Sequence, residues 1–451
     1  MLVRVIIGNL YSFREKTEFN MLTGDVRRHP HHVHKLGKVE VLRTAAVYGA
    51  NGAGKSNLVK ALDLLRQAAT SERIPNEKIS AFKLGQPQDL PNSHIEIEVS
   101  LNKKQYLYGL SLTHNRVAEE WLYETNNGKE DVVIFERKTN NKEETKISFA
   151  PKYENTIKAK SRRELYENEI LKSHTTMLWQ LNQAKTILIK EASAIFDWMT
   201  RQLVVIYPNY SHRTFIEGYL ADSEFKAFCN TLINNFNIGV TDLYIRKTLL
   251  NDEVLNQPFI LKLIHSMGAG DTGMISFLDK DNRPFTLTKS DGHIYLNDLQ
   301  TIHNNFSIEP VVFDVAEESD GTRRLLDLVV AFYIFSKLNM TVIVDEIERS
   351  VHPSLIKSIL KRVIGEEQVK GQLIFTTHES NLLDLDMLRQ DEIWFAEKNE
   401  QGATSFYPLS EFSIRPDLDI EKGYLMGRFG AIPVLNDLKK LNRHQAVHAE
   451  N

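Results

Sequence analysis

The stretch Gly49-Ala50-Asn51-Gly52-Ala53-Gly54-Lys55-Ser56 constrains this chain more than any other segment of comparable length. It follows a short apolar run, Thr44 to Tyr48, and precedes a segment with Leu58, Ala61, Leu62 and Leu65 at helical spacing. Strand, glycine-rich turn and helix in that order give the G-x-x-x-x-G-K-[ST] pattern its expected structural context. The glycines let the backbone turn sharply, so that successive N–H groups face one point, and the helix start adds partial positive charge. Such a loop holds phosphate. Gly49, Asn51, Gly52, Gly54, Lys55, Ser56 and Asn57 are therefore the candidate nucleotide-binding residues. Lys55 would bridge the β- and γ-phosphates and Ser56 would ligate Mg²⁺ through its hydroxyl, making ATP and Mg²⁺ the expected cofactors.

A phosphate loop of this kind needs an acidic residue at the end of a second apolar strand, and Met340-Thr341-Val342-Ile343-Val344-Asp345-Glu346 supplies two. Two adjacent carboxylates closing a buried strand are costly unless a cation or substrate accompanies them. Asp345 is the candidate for holding Mg²⁺, and Glu346 is the candidate general base for the attacking water. Glu318-Ser319-Asp320-Gly321-Thr322-Arg323-Arg324 opens the helix before that strand, with Ser319 placed as an N-cap and Gly321 allowing close backbone approach. After the next apolar run, Leu373 to Thr377, His378 is positioned to meet the γ-phosphate or orient water.

The rest of the 451 residues divides by pattern. Leu2 to Phe13 and Lys16 to Leu22 read as strands, Thr23 to Lys38 as a polar His-rich loop, and His94 to Thr139 as an antiparallel meander. Helical spacing dominates from about Lys158 to Asn237, including Ile187 to Leu203 and Phe225 to Phe236, and strand-like text returns from Asp242 to Ile308. Helices at Arg323 to Lys337 and Ser354 to Ile364 alternate with strands at Met340 to Val344, Gln372 to Thr376 and Glu392 to Glu397. This implies an α/β chain with an N-terminal lobe over 1–150, a mainly helical insertion over 151–240, and a C-terminal lobe over 241–451 that completes the nucleotide fold. A net charge of −4 excludes a strongly basic nucleic-acid coat, though not a local basic groove. A single cysteine, Cys229, excludes an intramolecular disulfide and any multi-cysteine zinc site. No apolar run is long enough for a membrane span, and the expected location is cytoplasmic.

Taken together, these motifs resemble the ATP-binding-cassette (ABC) type ATPases, and within them the RecF- and SMC-like heads rather than transporter cassettes. The resemblance makes Gly49 to Ser56 Walker A, Asp345-Glu346 Walker B, Ser319-Asp320-Gly321-Thr322 the signature, and His378 the switch histidine. It implies a P-loop NTPase of ABC type, with an antiparallel β lobe, that hydrolyses ATP with Lys55, Glu346 and His378 in catalysis. It also implies a head-to-tail homodimer or higher homo-oligomer, in which the P-loop of one copy and the signature of another clamp one nucleotide. The closer resemblance is to bacterial anti-phage defence ATPases related to the overcoming-lysogenization-defect (OLD) proteins. It rests on Asp345-Glu346-Ile347-Glu348-Arg349-Ser350-Val351-His352-Pro353, on Glu119 to Tyr123, and on the tail Gly423 to Pro433. Thr322 stands where transporter cassettes usually carry glutamine, and His352 replaces the usual D-loop aspartate; Gln86 and Gln88 are the candidates for the Q-loop residue.

OLD enzymes carry a metal-dependent nuclease domain after the ATPase. Here only the triplets Asp384 to Asp386 and Asp417 to Asp419 echo it, so no built-in nuclease is expected and the effector, a nuclease or toxin, is expected to be a separate protein. The alternative is a RecF- or SMC-like ATPase of DNA repair whose main ligand is DNA; no sustained heptad pattern runs through the central segment to support a long arm. A transporter cassette is disfavoured by the altered signature and the long insertion. The cluster His29-Pro30-His31-His32-Val33-His34 has spacing that suits a metal, but its proline and charged neighbours Arg27, Arg28, Lys35, Lys38 and Arg43 read more simply as a solvated loop. The basic run Lys152 to Lys172 is offset by Glu154, Glu164, Glu167 and Glu169, as in helical ion pairing.

Overall fold

The computed structural model describes residues 1–84, 92–125, 130–154, 157–183, 189–209, 211, 213–236, 238–267, 270, 272–304, 310–414 and 418–432. Gln86, Gln88, Asp417 and Pro433 lie outside them. The chain forms two compact units: one from Arg201–Ile374, the other from Leu2–Thr200 together with the chain from Phe375 onward.

The discontinuous unit is built on an antiparallel sheet of seven strands. The meander Ser93–Leu101, Lys104–Leu112, Val117–Thr125, Val132–Thr139 and Thr145–Phe149 pairs in sequence order, and Leu2–Gly8 joins its open side with Thr17–Asn20 beyond. Ile95, Ile97 and Val99 alternate inward as the period-two pattern requires. The first strand stops at Gly8, because Asn9 and Tyr11 take positive φ (43° and 55°) in a tight connection and do not continue the predicted strand to Phe13. In the same unit Thr44–Tyr48 runs parallel to Ile393–Lys398, which pairs antiparallel with Thr404–Pro408. Helix Lys55–Thr70 buries Leu58, Leu62 and Leu65 almost completely; each contributes about 1.5–3 kcal/mol of burial.

A polar network holds the outer part of that sheet. Glu120 and Arg137 are both fully buried, 3.7 Å apart. The Glu120 carboxylate accepts from Met177 N (2.6 Å), Leu178 N (2.9 Å) and Tyr108 OH (3.0 Å), so it caps the helix Met177–Gln183 from another element. Arg137 donates to the carbonyls of Thr175 and Lys172. Burial pushes the Glu120 carboxyl up, against the pull of Arg137.

The Arg201–Ile374 unit pairs Leu203–Ile206 in parallel with Thr341–Val344, the latter wholly buried. A second antiparallel sheet orders Val240–Leu249, His293–His303, Pro284–Ser290 and Gly273–Leu278, with Val311–Asp314 also on His293–His303. Between the two units the chain passes through the strand Gln372–Thr376.

The fold is mixed α/β with antiparallel sheets, as the sequence predicts, but three further local readings are corrected. The His-rich segment predicted as loop contains a 3₁₀ turn, Pro30–His32, and a strand, Val33–Leu36, that forms a hairpin with Val39–Leu42 just beyond it. The predicted helix Ile187 to Leu203 ends earlier: after Lys190–Asp197 and one wide turn the chain enters a strand at Leu203, where Leu203, Val204, Val205 and Ile206 favour a pleated, buried surface. The strand-like block after Asp242 is interrupted by helices Asp252–Leu255 and Pro258–Ser266, started by the Asn251 side chain accepting from Val254 N and by Pro258 at the first turn. Among the described residues, no helix is long and apolar enough to cross a membrane.

Candidate active site

The phosphate loop leaves the strand Thr44–Tyr48 and enters helix Lys55–Thr70. Two of its glycines are obligatory for steric reasons. A Cβ on Gly49 would stand 2.4 Å from the Ala396 carbonyl oxygen; one on Gly54, which has φ 112°, would stand 2.2 Å from Thr404 Oγ1. Gly54 therefore starts the helix in a conformation and a space that no other residue fits. Lys55, 7% exposed, turns its ammonium back to the loop, where Nζ donates to Gly49 O (2.7 Å) and Ala50 O (3.1 Å). Asn51 and Gly52 are exposed at the loop's tip, and Ser56 is half-buried on the helix's first turn.

Residues remote in sequence hold this loop in shape. Thr404 Oγ1 contacts both Ser12 Oγ and Ala53 O at 2.8 Å, and Thr404 N donates to Ser12 O at 2.8 Å. Asn57, predicted as a nucleotide contact, donates its side-chain amide to Ser12 Oγ at 2.7 Å. From the tail, Ala431 O accepts from Ala50 N (2.9 Å) and from Tyr424 OH (3.0 Å). Glu397 fixes that contact by accepting from Ala431 N (3.2 Å) and Tyr407 OH (2.9 Å). Burial and the Glu397 carboxylate together push the Tyr407 phenol up, so it remains a donor. The sequence marks the tail Gly423 to Pro433 but carries no signal for Thr404, Tyr407 or Glu397.

His378 is exposed and follows Thr377, whose N–H donates to Val47 O at 3.0 Å. It therefore lies at the same strand end from which the phosphate loop departs. Ligands of open α/β sheets bind at this end.

The Arg201–Ile374 unit carries the acidic turn and the signature. Asp345, 4% exposed, directly follows the buried strand, and its N–H donates to Ile206 O at 2.9 Å. Glu346 takes φ 48°, unusual for a residue with a Cβ, and is half-buried. Such local strain concentrates at functional positions. The guanidinium of Arg324, 4% exposed, donates to Tyr207 O (3.0 Å), Asp345 O (3.1 Å) and Glu346 O (3.3 Å). It thereby ties helix Asp320–Lys337 to the carboxylate turn, a role the sequence reading did not assign. Ser319 caps that helix by accepting from Thr322 N at 3.1 Å, and Gly321 is needed because a Cβ there would stand 2.7 Å from Ser350 O. His352 is the N-cap of helix Pro353–Ile364, its ring accepting from Ser354 N at 3.3 Å. A cleft of about 300 Å³ beside the signature is lined by Asp320, Arg323, Arg324, Asp327, Arg349 and Ser350.

The donor set suits the expected cofactors. The phosphate loop offers backbone N–H groups and a lysine, and the metal candidates Ser56 and Asp345 offer oxygen, which Mg²⁺ prefers.

A comparison with curated proteins finds no match to the sequence. Three solved structures are similar over most of the chain, all at low identity. An SMC head domain from Thermotoga maritima is 11% identical with a TM-score of 0.37, over 92% of this chain and 99% of that one. An Smc head bound to the C-winged helix domain of ScpA is 14% identical with a TM-score of 0.41, over 90% and 97%. An Smc head with an extended coiled coil, bound to the C-terminal domain of ScpA derived from Pyrococcus furiosus, is 12% identical with a TM-score of 0.42, over 95% and 98%. A family model described as "AAA domain, putative AbiEii toxin, Type IV TA system" matches residues 45–384, from the strand before the phosphate loop to beyond His378, and the chain belongs to that family.

Proposed function

We propose that this P-loop ATPase binds MgATP and hydrolyses it at sites shared by two head-to-tail copies, and that the resulting change controls a separately encoded effector, a nuclease or toxin, in bacterial anti-phage defence. The observation that carries the ATP reading is the phosphate loop, with Gly49 and Gly54 admitting no side chain and Lys55 drawn onto the loop. Asp345 holds Mg²⁺ in this reading, Glu346 takes the proton of the attacking water, and His378 orients that water. Ser319 and Gly321 of the second copy supply a capped helix start for the γ-phosphate. The toxin and toxin–antitoxin terms in the family's description support a defence role with a protein partner.

The test uses the full chain. Lys55→Ala should abolish binding of a fluorescent ATP analogue. Glu346→Gln should keep binding, lower turnover at least 10²-fold as loss of a general base does, and trap a nucleotide-dependent dimer in analytical ultracentrifugation. Wild-type protein with no ATP affinity would sink the proposal. Salt-sensitive, ATP-stimulated DNA retention would instead favour the DNA-repair reading.

A further inference from the structure

The His-rich segment forms a more organised site than its sequence suggests. His29, His31 and His32 each bring a ring nitrogen within 4.8 Å of the others. Their rings pack on one another, His29 on His32 at 4.9 Å and His31 edge-on to His32 at 4.5 Å between centroids. His32 is 1% exposed, while His29 and His31 are half-buried, so the cluster is anchored inside and reachable from solvent.

Each of the two outer supports engages one nitrogen of its ring. Glu392, fully buried, places both carboxylate oxygens on His32 Nδ1, at 3.0 and 3.1 Å. Leu385 O lies 2.9 Å from His29 Nε2. With the protons on those nitrogens, the lone pairs are on His32 Nε2 and His29 Nδ1. A carboxylate or carbonyl behind the ligand histidine is the usual second layer of a metal site, because it fixes the tautomer and raises ligand basicity. The backbone also accommodates the cluster: His29 adopts φ 46°, ψ 61°, a left-handed conformation unfavourable for a residue with a Cβ, immediately before the turn Pro30–His32.

We propose that His29, His31 and His32 bind one zinc ion, or a divalent transition ion of similar borderline softness, with Glu392 and Leu385 O as the outer groups that orient the rings. Three imidazoles and a water give zinc the four-coordinate site it prefers; a tetrahedral site with Zn–N of about 2.0–2.1 Å brings the nitrogens to about 3.3 Å from one another, so the cluster closes from its present 4.8 Å and the stacked rings of His29 and His32 turn out of parallel as the ion enters. Both of these supports, to His29 and to His32, come from Leu385–Glu392, a segment that follows His378 in the chain. The ion would therefore fasten the chain beyond the switch histidine to the N-terminal hairpin of the same unit.

The test uses the untagged full chain, stripped with a chelator and titrated with Zn²⁺ and separately with Co²⁺. Wild type should retain one zinc per chain through gel filtration, show the visible absorption of low-symmetry Co²⁺, and melt at a higher temperature with zinc. His29→Gln and His31→Gln, both at half-buried positions, should each lose the retained zinc and the zinc-dependent rise in melting temperature while keeping the wild-type circular dichroism. Glu392→Gln should retain binding but weaken zinc affinity about 10- to 100-fold. Wild type that keeps no zinc, or either histidine variant that keeps it at the wild-type level, overturns the proposal.

Discussion

Arg324→Lys keeps the charge at a buried position and removes the shape. The guanidinium spans three carbonyls, those of Tyr207, Asp345 and Glu346, with two of its nitrogens. A lysine ammonium is a point donor on a flexible stem and cannot reproduce that fork. Losing one or two charge-assisted bonds, at about 1.5–3 kcal/mol each, and leaving a carbonyl buried without its donor, should cost about 2–4 kcal/mol. Part of the wild-type interaction already offsets the penalty of burying the cation, which lowers the Arg324 pKa, so the sum of three full bonds is not expected. The loss should appear as a lower melting temperature by circular dichroism. Because Asp345 and Glu346 ride on those carbonyls, turnover of ATP should fall while affinity for the nucleotide, set at the phosphate loop, stays close to wild type. If the variant melts within the equivalent of about 0.5 kcal/mol of wild type and turns over normally, the account of Arg324 as the brace of the acidic turn is wrong.

Gly54→Ala should destabilise the protein by at least 1–2 kcal/mol, since the residue needs φ 112° and its Cβ would overlap Thr404 Oγ1, and nucleotide binding should be lost with it; calorimetry and an equilibrium binding assay check both. Arg137→Met leaves Glu120 as an uncompensated buried acid and should cost about 3–5 kcal/mol, read by thermal unfolding. Burial, with Lys16 adding to it, pushes the His94 imidazole down to about 4, below the ordinary 6.5 of the unfolded chain. The folded form therefore resists protonation: this contribution is intact above about pH 6.5 and is lost as the pH falls towards 4, by up to about 3 kcal/mol. His94→Phe, which can keep the stacking on Trp121, should flatten the fall of melting temperature with pH across that window.

The parts of the site that repeat a local pattern were legible in the sequence. The phosphate loop, the carboxylates Asp345 and Glu346, and the capped start at Ser319 each depend on neighbours within a few residues, and the structure gives them the expected strand, turn and helix settings. What escaped is contact between distant segments. Nothing near Thr404 marks it as a partner of Ala53, and the Glu397 contact to Ala431 likewise joins a strand to a tail with no shared motif. The strand Val33–Leu36 reads as loop because His34 and Lys35 interrupt its apolar residues and it follows a histidine cluster; what holds it is its partner strand Val39–Leu42, whose Val39, Val41 and Leu42 are buried. Helix Pro258–Ser266 is hidden because Phe259 to Ile264, apolar but for Lys262, fits a short strand equally well, and only Pro258 at its start distinguishes them.

The hydrogen bond between Ala53 and Thr404 spans 351 residues. During synthesis at about 5–20 residues per second, the nascent phosphate loop would wait roughly 20 to 70 seconds before the residue that braces it leaves the ribosome. The motif that reads as autonomous in the sequence is thus assembled last in time, and a truncated translation product would carry its letters without its shape.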